Sequence, residues 1–331
     1  FNEPGRYPFG EGIHTRGGRA MPAPEILVTA LTGGGALNGV IADWCEHNST
    51  TYIAAGTKVY YWDTTTALWV KTATDPVGNV KITKIQSFQG LLIVFMDNAP
   101  ADFAGAAGKP YEYSADNGAT WAVATGAGRV SGKYSAIWEQ RSVEPELQMV
   151  ADPNLTYKTK DPRDAGQWDG GAKVGDNVGY DHFTSIVRAP AGEMLFGKEV
   201  GWRTMDPFGN VDPVTAQLQP DSGLGTENFA WPVIMNGRVY AVVKDYDICE
   251  YTQGNPARFG FGPKFHGPGV YEMQKAVVAL ATDEVDTLYV ALAGAEGYVM
   301  EAGYQQGNWR YHGALINLGQ AISRMWTASY A

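Results

Sequence analysis

The feature that most constrains the fold of this chain is an aromatic and aspartate pattern that recurs along it. In six places an aromatic residue in a strand-like segment is followed by a polar turn and then by a tryptophan or another apolar residue. The six are Tyr60…Asp63…Trp69, Tyr111…Asp116…Trp121, Tyr157…Asp161…Trp168, Trp202…Asp206…Val214, Tyr251…Asn255…Phe261 and Tyr298…Gln306…Trp309. Their first residues are 45 to 51 positions apart. A self-similar period of this length indicates repeated supersecondary units.

Each repeat has the chemistry of short β-strands. Segments such as Lys58–Trp62 and Leu288–Leu292 are rich in β-branched and aromatic residues, which favour a pleated surface. The pair Asn236-Gly237 predicts a two-residue hairpin turn, because both central positions of that turn require a positive φ. The 41 glycines indicate many turns, and no twelve-residue stretch sustains the periodicity of an amphipathic helix. A period near 48 residues accommodates four strands of about 5 to 6 residues with short turns.

We therefore predict an all-β fold, a six-bladed β-propeller of four-stranded antiparallel blades over residues 38–316, with an extended N-terminal arm. The blades are placed near residues 38–73, 78–125, 127–171, 174–215, 225–268 and 274–316. Residues 1–37 form the arm and its lead-in, and residues 317–331 close the ring or lead out of it. Radial closure protects strand edges that an open sheet of this size would expose. The alternative architecture is a pair of β-sandwiches.

Charge and composition exclude several classes of partner. The chain has 25 Lys and Arg against 35 Asp and Glu, a formal charge of -10, so a nucleic acid backbone would be repelled. No run of Ala, Val, Ile, Leu, Met, Phe, Trp, Tyr and Cys is longer than six residues, as in Leu91–Met96, which is too short to span a membrane. Cys45 and Cys249 form no metal-binding pattern and are interpreted as two small buried hydrophobic residues.

One segment carries a specific motif, Ser114-Ala115-Asp116-Asn117-Gly118-Ala119-Thr120-Trp121. Asp116 can accept backbone N–H bonds inside the turn, Gly118 can take a positive φ, and Trp121 can pack beneath the hairpin. The segment resembles the Asp-box, or BNR repeat, which matches at Ser114, Asp116, Gly118, Thr120 and Trp121. Such boxes are outer-strand hairpins of sialidases and other propellers, remote from the active site. The resemblance therefore implies a fold and a structural role for these five residues.

Catalytic and metal-binding patterns are sparse. A sialidase-like site would need three arginines around a sugar carboxylate beside a Tyr/Glu pair, and Arg188, Arg238 and Arg310 lie on different predicted blades. Arg238 is expected at a hairpin turn with a solvated head group. No catalytic residue, metal site or cofactor is predicted. Ca²⁺ is conceivable at Asp161–Asp164 with Asp169, or at Asp283–Asp286, but neither spacing matches a defined calcium loop.

The N-terminal arm leads to a functional expectation. Residues 1–24 contain nine Gly or Pro and the three arginines Arg6, Arg16 and Arg19, which are expected to pair with an acidic surface of a neighbouring subunit. Low charge, abundant Gly, Ala and aromatic residues and such an arm resemble bacteriophage virion proteins, in particular propellers of tail nozzles and tail tips. The resemblance implies a non-enzymatic structural or interaction protein, bound to other protein subunits and located in a virion or extracellularly. The alternative is a carbohydrate-active propeller, either a sialidase-like glycoside hydrolase or a lectin, with a glycan as its ligand.

Overall fold

The computed structural model is built from short β-strands and turns. It describes residues 10–11, 13–14, 21–22, 35–76, 80–96, 111–124, 131–139, 144–151, 154–169, 171–175, 182–206, 208–213, 225, 227–244, 247–252, 264–267, 270–274, 276–283, 287–293, 298–305, 308–311, 314–317, 322 and 325. Within these residues no helix is long and apolar enough to cross a membrane.

Three short strands belong to the predicted arm, namely β1 (Gly10–Glu11), β2 (Ile13–His14) and β3 (Met21–Pro22). Strands β2 and β3 pair with each other antiparallel. Strand β1 instead pairs in parallel with a strand near the other end of the chain. Part of the predicted arm therefore forms strands that pair with other strands of the same chain.

Four consecutive four-stranded sheets follow, each with its strands paired antiparallel in chain order. The first blade consists of β4 (Ile41–His47), β5 (Thr50–Ala55), β6 (Lys58–Asp63) and β7 (Leu68–Lys71). The second consists of β8 (Ile82–Phe88), β9 (Leu91–Met96), β10 (Glu112–Ser114) and β11 (Ala122–Val123). The third consists of β12 (Tyr134–Trp138), β13 (Glu146–Ala151), β14 (Leu155–Thr159) and β15 (Ala172–Lys173), with a 3-10 turn at Ala165–Gln167. The fourth consists of β16 (Phe183–Arg188), β17 (Met194–Lys198), β18 (Gly201–Met205) and β19 (Val211–Pro213).

The rest of the chain is less regular. A three-stranded sheet contains β20 (Val233–Met235), β21 (Arg238–Val243) and β22 (Asp247–Tyr251), and a separate hairpin contains β23 (Lys264–Gly267) and β24 (Val270–Gln274). The last blade contains β25 (Val277–Thr282), β26 (Thr287–Leu292), β27 (Tyr298–Gln305), β28 (Asn308–Tyr311) and β29 (Ala314–Asn317). Its sheet order is β1-β29-β27-β26-β25, with β28 also paired to β27.

The fold is thus an all-β propeller with four-stranded antiparallel blades, and the residues that the structure describes form five blades where we predicted six. The discrepancy lies in the predicted blade 225–268. There β22 has no fourth strand among the described residues, and β23 pairs with β24 instead. Pro256 and Pro263 lie between β22 and β23 and have no N–H to donate to a strand ladder. The aromatic repeat still marks a third strand here, because Tyr251 ends β22.

The chain divides into two compact units. One comprises Val28–Arg188 and Gly192–Val214, which include the first four blades. The other comprises Phe1–Leu27, Ala189–Ala191 and Thr215–Ala331, which include the three-stranded sheet and the last blade.

The second and third blades bury both of their faces, because neighbouring blades of the first unit pack face to face. Strand β9 is buried along its whole length, and alternate side chains enter different cores. The core between the first and second blades contains Tyr52, Ala54, Val59, Ile82, Ile85, Leu92, Val94 and Met96. The core between the second and third contains Phe88, Leu91, Ile93, Phe95, Tyr111, Ala124, Leu147, Met149, Ala165 and Trp168. This two-sided burial explains why β9 is continuously apolar rather than alternating.

Candidate functional site

An aspartate lies at or just after the end of the third strand in each of the first four blades, where the turn toward the fourth strand begins. These residues are Asp63, Asp116, Asp161 and Asp206. Each carboxylate accepts a hydrogen bond from a backbone N–H two or four residues further along the chain. The donors, in the same order, are Thr65 at 2.9 Å, Thr120 at 2.8 Å, Arg163 at 3.1 Å and Phe208 at 2.9 Å. A side chain inside the same turn adds a second bond in every case. The recurring aspartates are thus turn-stabilising residues.

The turn of the second blade has the most complete bonding. Asp116 accepts from Thr120 N at 2.8 Å, from Thr120 Oγ1 at 2.6 Å and from Ser114 Oγ at 2.8 Å. Ser114 Oγ in turn accepts from Gly118 N at 2.7 Å. Hydrogen bonds from Thr120 and Ser114 lower the pKa of Asp116 to about 2. Asn117 and Gly118 both have positive φ, 59° and 87°.

The second-blade turn also contacts the first blade. The indole Nε1–H of Trp121 donates to the carbonyl of Thr74 at 3.2 Å, and Thr74 Oγ1 donates to the carbonyl of Ala119 at 2.8 Å. Gly118 lies so close to Thr72 that a Cβ on it would be 2.6 Å from Thr72 Cγ2. Trp121 therefore packs toward the neighbouring blade and not merely beneath its own hairpin. The motif predicted the turn, but nothing local to it indicated Thr72 or Thr74.

A buried histidine links the same turn to the first hairpin of the first blade. His47 is 1% exposed, and its Nδ1 lies 2.9 Å from Ser87 Oγ. Asn48 Nδ2 lies 3.2 Å from His47 Nε2 and donates to Asn117 Oδ1 at 2.8 Å. With Asn48 as donor, His47 Nε2 is an acceptor and Nδ1 carries the proton. Burial lowers the pKa of His47 below its ordinary 6.5, so the neutral form of the ring is favoured over the charged form.

Asn117, Gly118 and Ala119 of the second-blade turn border an open cleft of about 390 Å³ on the first unit. The cleft is lined by Thr50, Tyr52, Tyr61, Lys71, Thr72, Ala73, Asn117, Gly118 and Ala119. Its aromatic wall is formed by Tyr52 and Tyr61, whose ring centroids are 6.1 Å apart, and the hydroxyl of Tyr52 donates to the carbonyl of Asn117 at 3.3 Å.

One lining residue of the cleft, Lys71, belongs to a group of paired charges. Lys71 Nζ is 3.2 Å from Asp75 Oδ1, and Lys58 Nζ is 2.5 Å from Asp75 Oδ2. Burial raises the pKa of Asp75, but hydrogen bonds from Lys58 and Lys71 outweigh it and hold that pKa below its ordinary value. The lining of the cleft thus combines the Lys71 ammonium group with the aromatic rings of Tyr52 and Tyr61. Such a surface can bind a ligand, but it presents no base beside a nucleophile.

Two of the arginines considered for a sialidase-like site have described side chains, and both pair with a glutamate of the fold. Arg188 Nη1 is 3.5 Å from Glu139 Oε2. Arg238 follows the Asn236-Gly237 turn, whose positive φ values of 47° and 72° confirm the predicted hairpin. Its guanidinium is not simply solvated as expected, because it donates to the buried carboxylate of Glu250 at 2.8 Å. The side chain of Arg310 and the residues Arg6, Arg16 and Arg19 lie outside the described part of the chain.

A Tyr/Glu pair does occur beside Arg238. The hydroxyl of Tyr240 donates to Glu250 Oε2 at 2.9 Å, but Tyr240 is 2% exposed and belongs to a hydrophobic core. Burial and the adjacent Glu250 charge raise the pKa of Tyr240 above its ordinary range. A buried phenol that holds its proton more tightly is a poor nucleophile. This pair stabilises the three-stranded sheet.

The carboxylates considered for Ca²⁺ are also engaged in turns. Asp164 Oδ1 accepts from Gly166 N at 2.8 Å and caps the 3-10 turn, and Asp169 Oδ1 accepts from Lys158 N at 3.1 Å. Asp283 Oδ1 accepts from Thr287 N at 2.9 Å. Across the described ranges no three His, Cys, Asp or Glu side chains are grouped to hold a metal ion.

Both cysteines are free thiols in largely buried positions. Burial raises the pKa of Cys45 to about 12, and burial likewise raises the pKa of Cys249 far above its ordinary value. Neither thiol has the lowered pKa of a reactive nucleophile.

Comparison with known proteins supports the fold. No protein-family model and no curated protein matches the sequence. Among solved structures, the chain is similar to virginiamycin B lyase from Staphylococcus aureus, with a TM-score of 0.58, 10% identity, and coverage of 85% of this chain and 86% of that one. It is also similar to a quinonprotein alcohol dehydrogenase-like protein from Bacteroides thetaiotaomicron, with a TM-score of 0.59, 12% identity, and coverage of 88% and 70%.

A third similar structure is an ancestral GH74 enzyme, with a TM-score of 0.54, 13% identity, and coverage of 83% of this chain and 38% of that one. The three proteins differ in their named activities, and each shares 10 to 13% of its aligned residues with this chain. The similarity therefore establishes a β-propeller fold and carries no activity with it.

Proposed function

We propose that this propeller is a non-catalytic interaction module that docks onto neighbouring protein subunits, as a structural component of a bacteriophage virion or tail. One observation carries the proposal. The described side chains that were considered for catalysis or metal binding are bonded to other residues of the fold or buried in a core, as Asp161, Asp164 and Tyr240 are. These groups are used to hold blades in shape rather than presented to a substrate.

Two features support the proposal, one for the structural role and one for the interaction role. We infer that Ser114–Trp121 is an Asp-box, since Ser114, Asp116, Gly118 and Thr120 are bonded within one turn and Trp121 bonds to Thr74 of the preceding blade. An Asp-box has a structural role in this interpretation. The arm of residues 1–24, with Arg6, Arg16 and Arg19, supplies a segment to dock on an acidic surface of a partner. The corresponding location is a virion or the extracellular space.

The direct test is cross-linking and mass spectrometry of purified particles from the source of the chain. We expect the chain as a stoichiometric component, with cross-links from residues 1–24 to another subunit. Particles that lack the chain would contradict the virion assignment. A fluorogenic sialoside assay with the purified protein tests the enzyme alternative, and sustained turnover would contradict a non-catalytic role.

A second candidate function, glycan binding, is favoured by the cleft beside the Asp116 turn. Tyr61 offers a half-buried ring, and its hydroxyl and that of Thr50 bond to no other residue in the described part of the chain. An aromatic face next to hydroxyl groups and the Lys71 ammonium suits a saccharide, acidic ones included. Saturation-transfer NMR with a panel of neutral and acidic oligosaccharides tests this. We expect ligand signals that disappear in Tyr61→Ala and persist in Tyr113→Ala, a tyrosine outside the cleft. No saturation transfer to any member of the panel excludes the glycan candidate.

A further inference from the structure

The outer edge of the last blade is completed by the beginning of the chain. Strand β29 pairs with β27 through Tyr298↔Asn317 and Val299↔Ile316. On its other side it pairs with β1 in parallel, through Gly10↔Ala314 and Glu11↔Leu315. Without β1, this edge of β29 would present unpaired backbone N–H and C=O groups, which form a template for an added strand.

The attachment of β1 is small and its tether is long. Only two residue pairs join β1 to β29. Between Glu11 and the first residue of β4, Ile41, lie 29 residues. A chain of that length can extend to at most roughly 95 Å. The β2–β3 hairpin shortens this reach, but the tether still allows β1 to lie on an edge other than its own.

A strand edge does not distinguish a segment of its own chain from the same segment of another copy. The hydrogen bonds of β-augmentation are made by the backbone, so β1 of a second copy would pair with β29 in the same register. Exchange is then decided by the effective concentration of the tethered strand, which depends on the length of the tether. Neighbouring copies in an ordered assembly present their edges at comparable local concentrations, so the exchanged arrangement competes with the closed one.

We propose that β1 is an exchangeable strand and that its partner is a second copy of this chain. In an assembly, Gly10–Glu11 of one copy adds in parallel to Ala314–Leu315 of the next, which links copies head to tail. The same operation repeated around a closed ring leaves no β29 edge unpaired. This inference rests on the proposed interaction role of the arm and assigns that arm an acceptor site.

The exchange can be trapped by disulfide formation in the full-length protein. One preparation carries Gly10→Cys with one affinity tag, and a second carries Ala314→Cys with another. Paired residues on adjacent strands are within the Cα separation that a disulfide spans. Cys45 and Cys249 are largely buried with raised thiol pKa values and supply little background. After mixing at high protein concentration and mild oxidation, we expect a covalent dimer that carries both tags.

Three controls make the result specific. Each single variant oxidised alone and the unsubstituted protein should give at least tenfold less covalent dimer. The double variant Gly10→Cys/Ala314→Cys should give an intramolecular link at low concentration, which verifies the register of the closed form. Adding Glu11→Pro to the Gly10→Cys preparation removes a backbone donor, and we expect it to reduce the mixed-tag dimer severalfold.

An intramolecular link in the double variant, with no mixed-tag dimer at any concentration, would overturn strand exchange. A second readout does not depend on the new cysteines. Light scattering of the unsubstituted protein should show concentration-dependent oligomers that Gly10→Pro/Glu11→Pro weakens, and unchanged oligomers would also overturn it. Cross-links from residues 1–24 to a different protein in native particles would leave the proposed interaction role standing, so the two failures can be told apart.

Discussion

The indole Nε1–H of Trp168 donates to the hydroxyl of Tyr111 at 2.9 Å, and the two rings are 5.5 Å apart at an interplanar angle of 63°. Tyr111 begins one aromatic repeat and Trp168 ends the next. The Tyr111 hydroxyl itself donates to the carbonyl of Pro162, in the turn before Trp168. Residues that recur along the sequence thus bond the second blade to the third.

Removal of the Tyr111 hydroxyl should destabilise the first unit. Tyr111 is 1% exposed, so Tyr111→Phe leaves the Trp168 N–H and the Pro162 carbonyl without this partner inside a core. An unsatisfied buried polar group costs about 1–3 kcal/mol. We expect a loss of that size in the free energy of unfolding from urea titration.

The matched control for Tyr111→Phe is Tyr61→Phe, which removes a hydroxyl that bonds to no described residue. We expect Tyr61→Phe to change the free energy of unfolding by less than about 0.5 kcal/mol. A double-mutant cycle with Trp168→Phe should show coupling between positions 111 and 168. Additive effects of the two substitutions would contradict a direct bond.

Gly118→Ala should be more destabilising than alanine at a glycine of similar backbone conformation. Gly118 has a φ of +87°, and its new Cβ would meet Thr72 Cγ2 at 2.6 Å. Gly90 has a φ of +75°, and a Cβ added there would have nothing within 4 Å. Both substitutions carry backbone strain of about 1 kcal/mol. The excess for Gly118→Ala, expected at about 1–2 kcal/mol from overpacking, reports the contact with Thr72.

Thr72→Ser provides the rescue for Gly118→Ala. Serine removes Cγ2 but keeps the hydroxyl, which donates to the carbonyls of Val59 and Thr74 at 3.2 and 2.9 Å. We expect the double variant to recover most of the excess loss when chemical denaturation curves are compared. Equal costs at Gly118 and Gly90 would show that the blades do not touch closely at this turn.

Much of the blade structure was predictable because its determinants are local. The repeat places Tyr60, Tyr111, Tyr157 and Trp202 in or next to third strands, and an aspartate bonds the turn that follows the third strand in each of the first four blades. Each aromatic strand segment and each turn is specified by a few adjacent residues, and their repetition shows the blade period. The same locality explains the failure at residues 225–268, where an aromatic residue marks a third strand but says nothing of whether a fourth follows.

Contacts between distant segments could not be predicted in this way. Thr74 and Trp121 are 47 residues apart, and the pairing of Gly10 with Ala314 joins opposite ends of the sequence. Backbone pairing at a strand edge requires no particular side chain, so the sequence of β1 does not indicate that it pairs with β29. The glycines and prolines of residues 1–24 indicated an extended segment, but they did not indicate that Gly10 and Glu11 pair with β29.

Acid should weaken the second-blade turn through Asp116. Its pKa is lowered to about 2, from an ordinary value of 3.8, by hydrogen bonds from Thr120 and Ser114. A carboxyl whose pKa is depressed in the folded state stabilises that state above pH 3.8, and the contribution is lost as the pH falls from 3.8 to about 2. Asp116→Asn cannot titrate. We therefore expect Asp116→Asn to have a lower Tm than the unsubstituted protein at pH 6. The difference in Tm, measured by differential scanning calorimetry, should shrink toward pH 2. A difference independent of pH would contradict the lowered pKa.

Mild acid should act on a different group, His47. Burial lowers its pKa below 6.5, so the unfolded chain binds a proton at this residue more readily than the folded chain does. Stability from this group is present at neutral pH and falls as the pH drops below 6.5. His47→Gln retains a donor for Ser87 and an acceptor for Asn48 without titrating. The Tm of the unsubstituted protein should therefore fall more steeply between pH 7 and 5 than that of His47→Gln. The other four histidines are present in both proteins, so the difference between the two Tm profiles reports His47. NMR titration of the His47 ring proton checks the cause directly, and a midpoint above 6.5 would refute it.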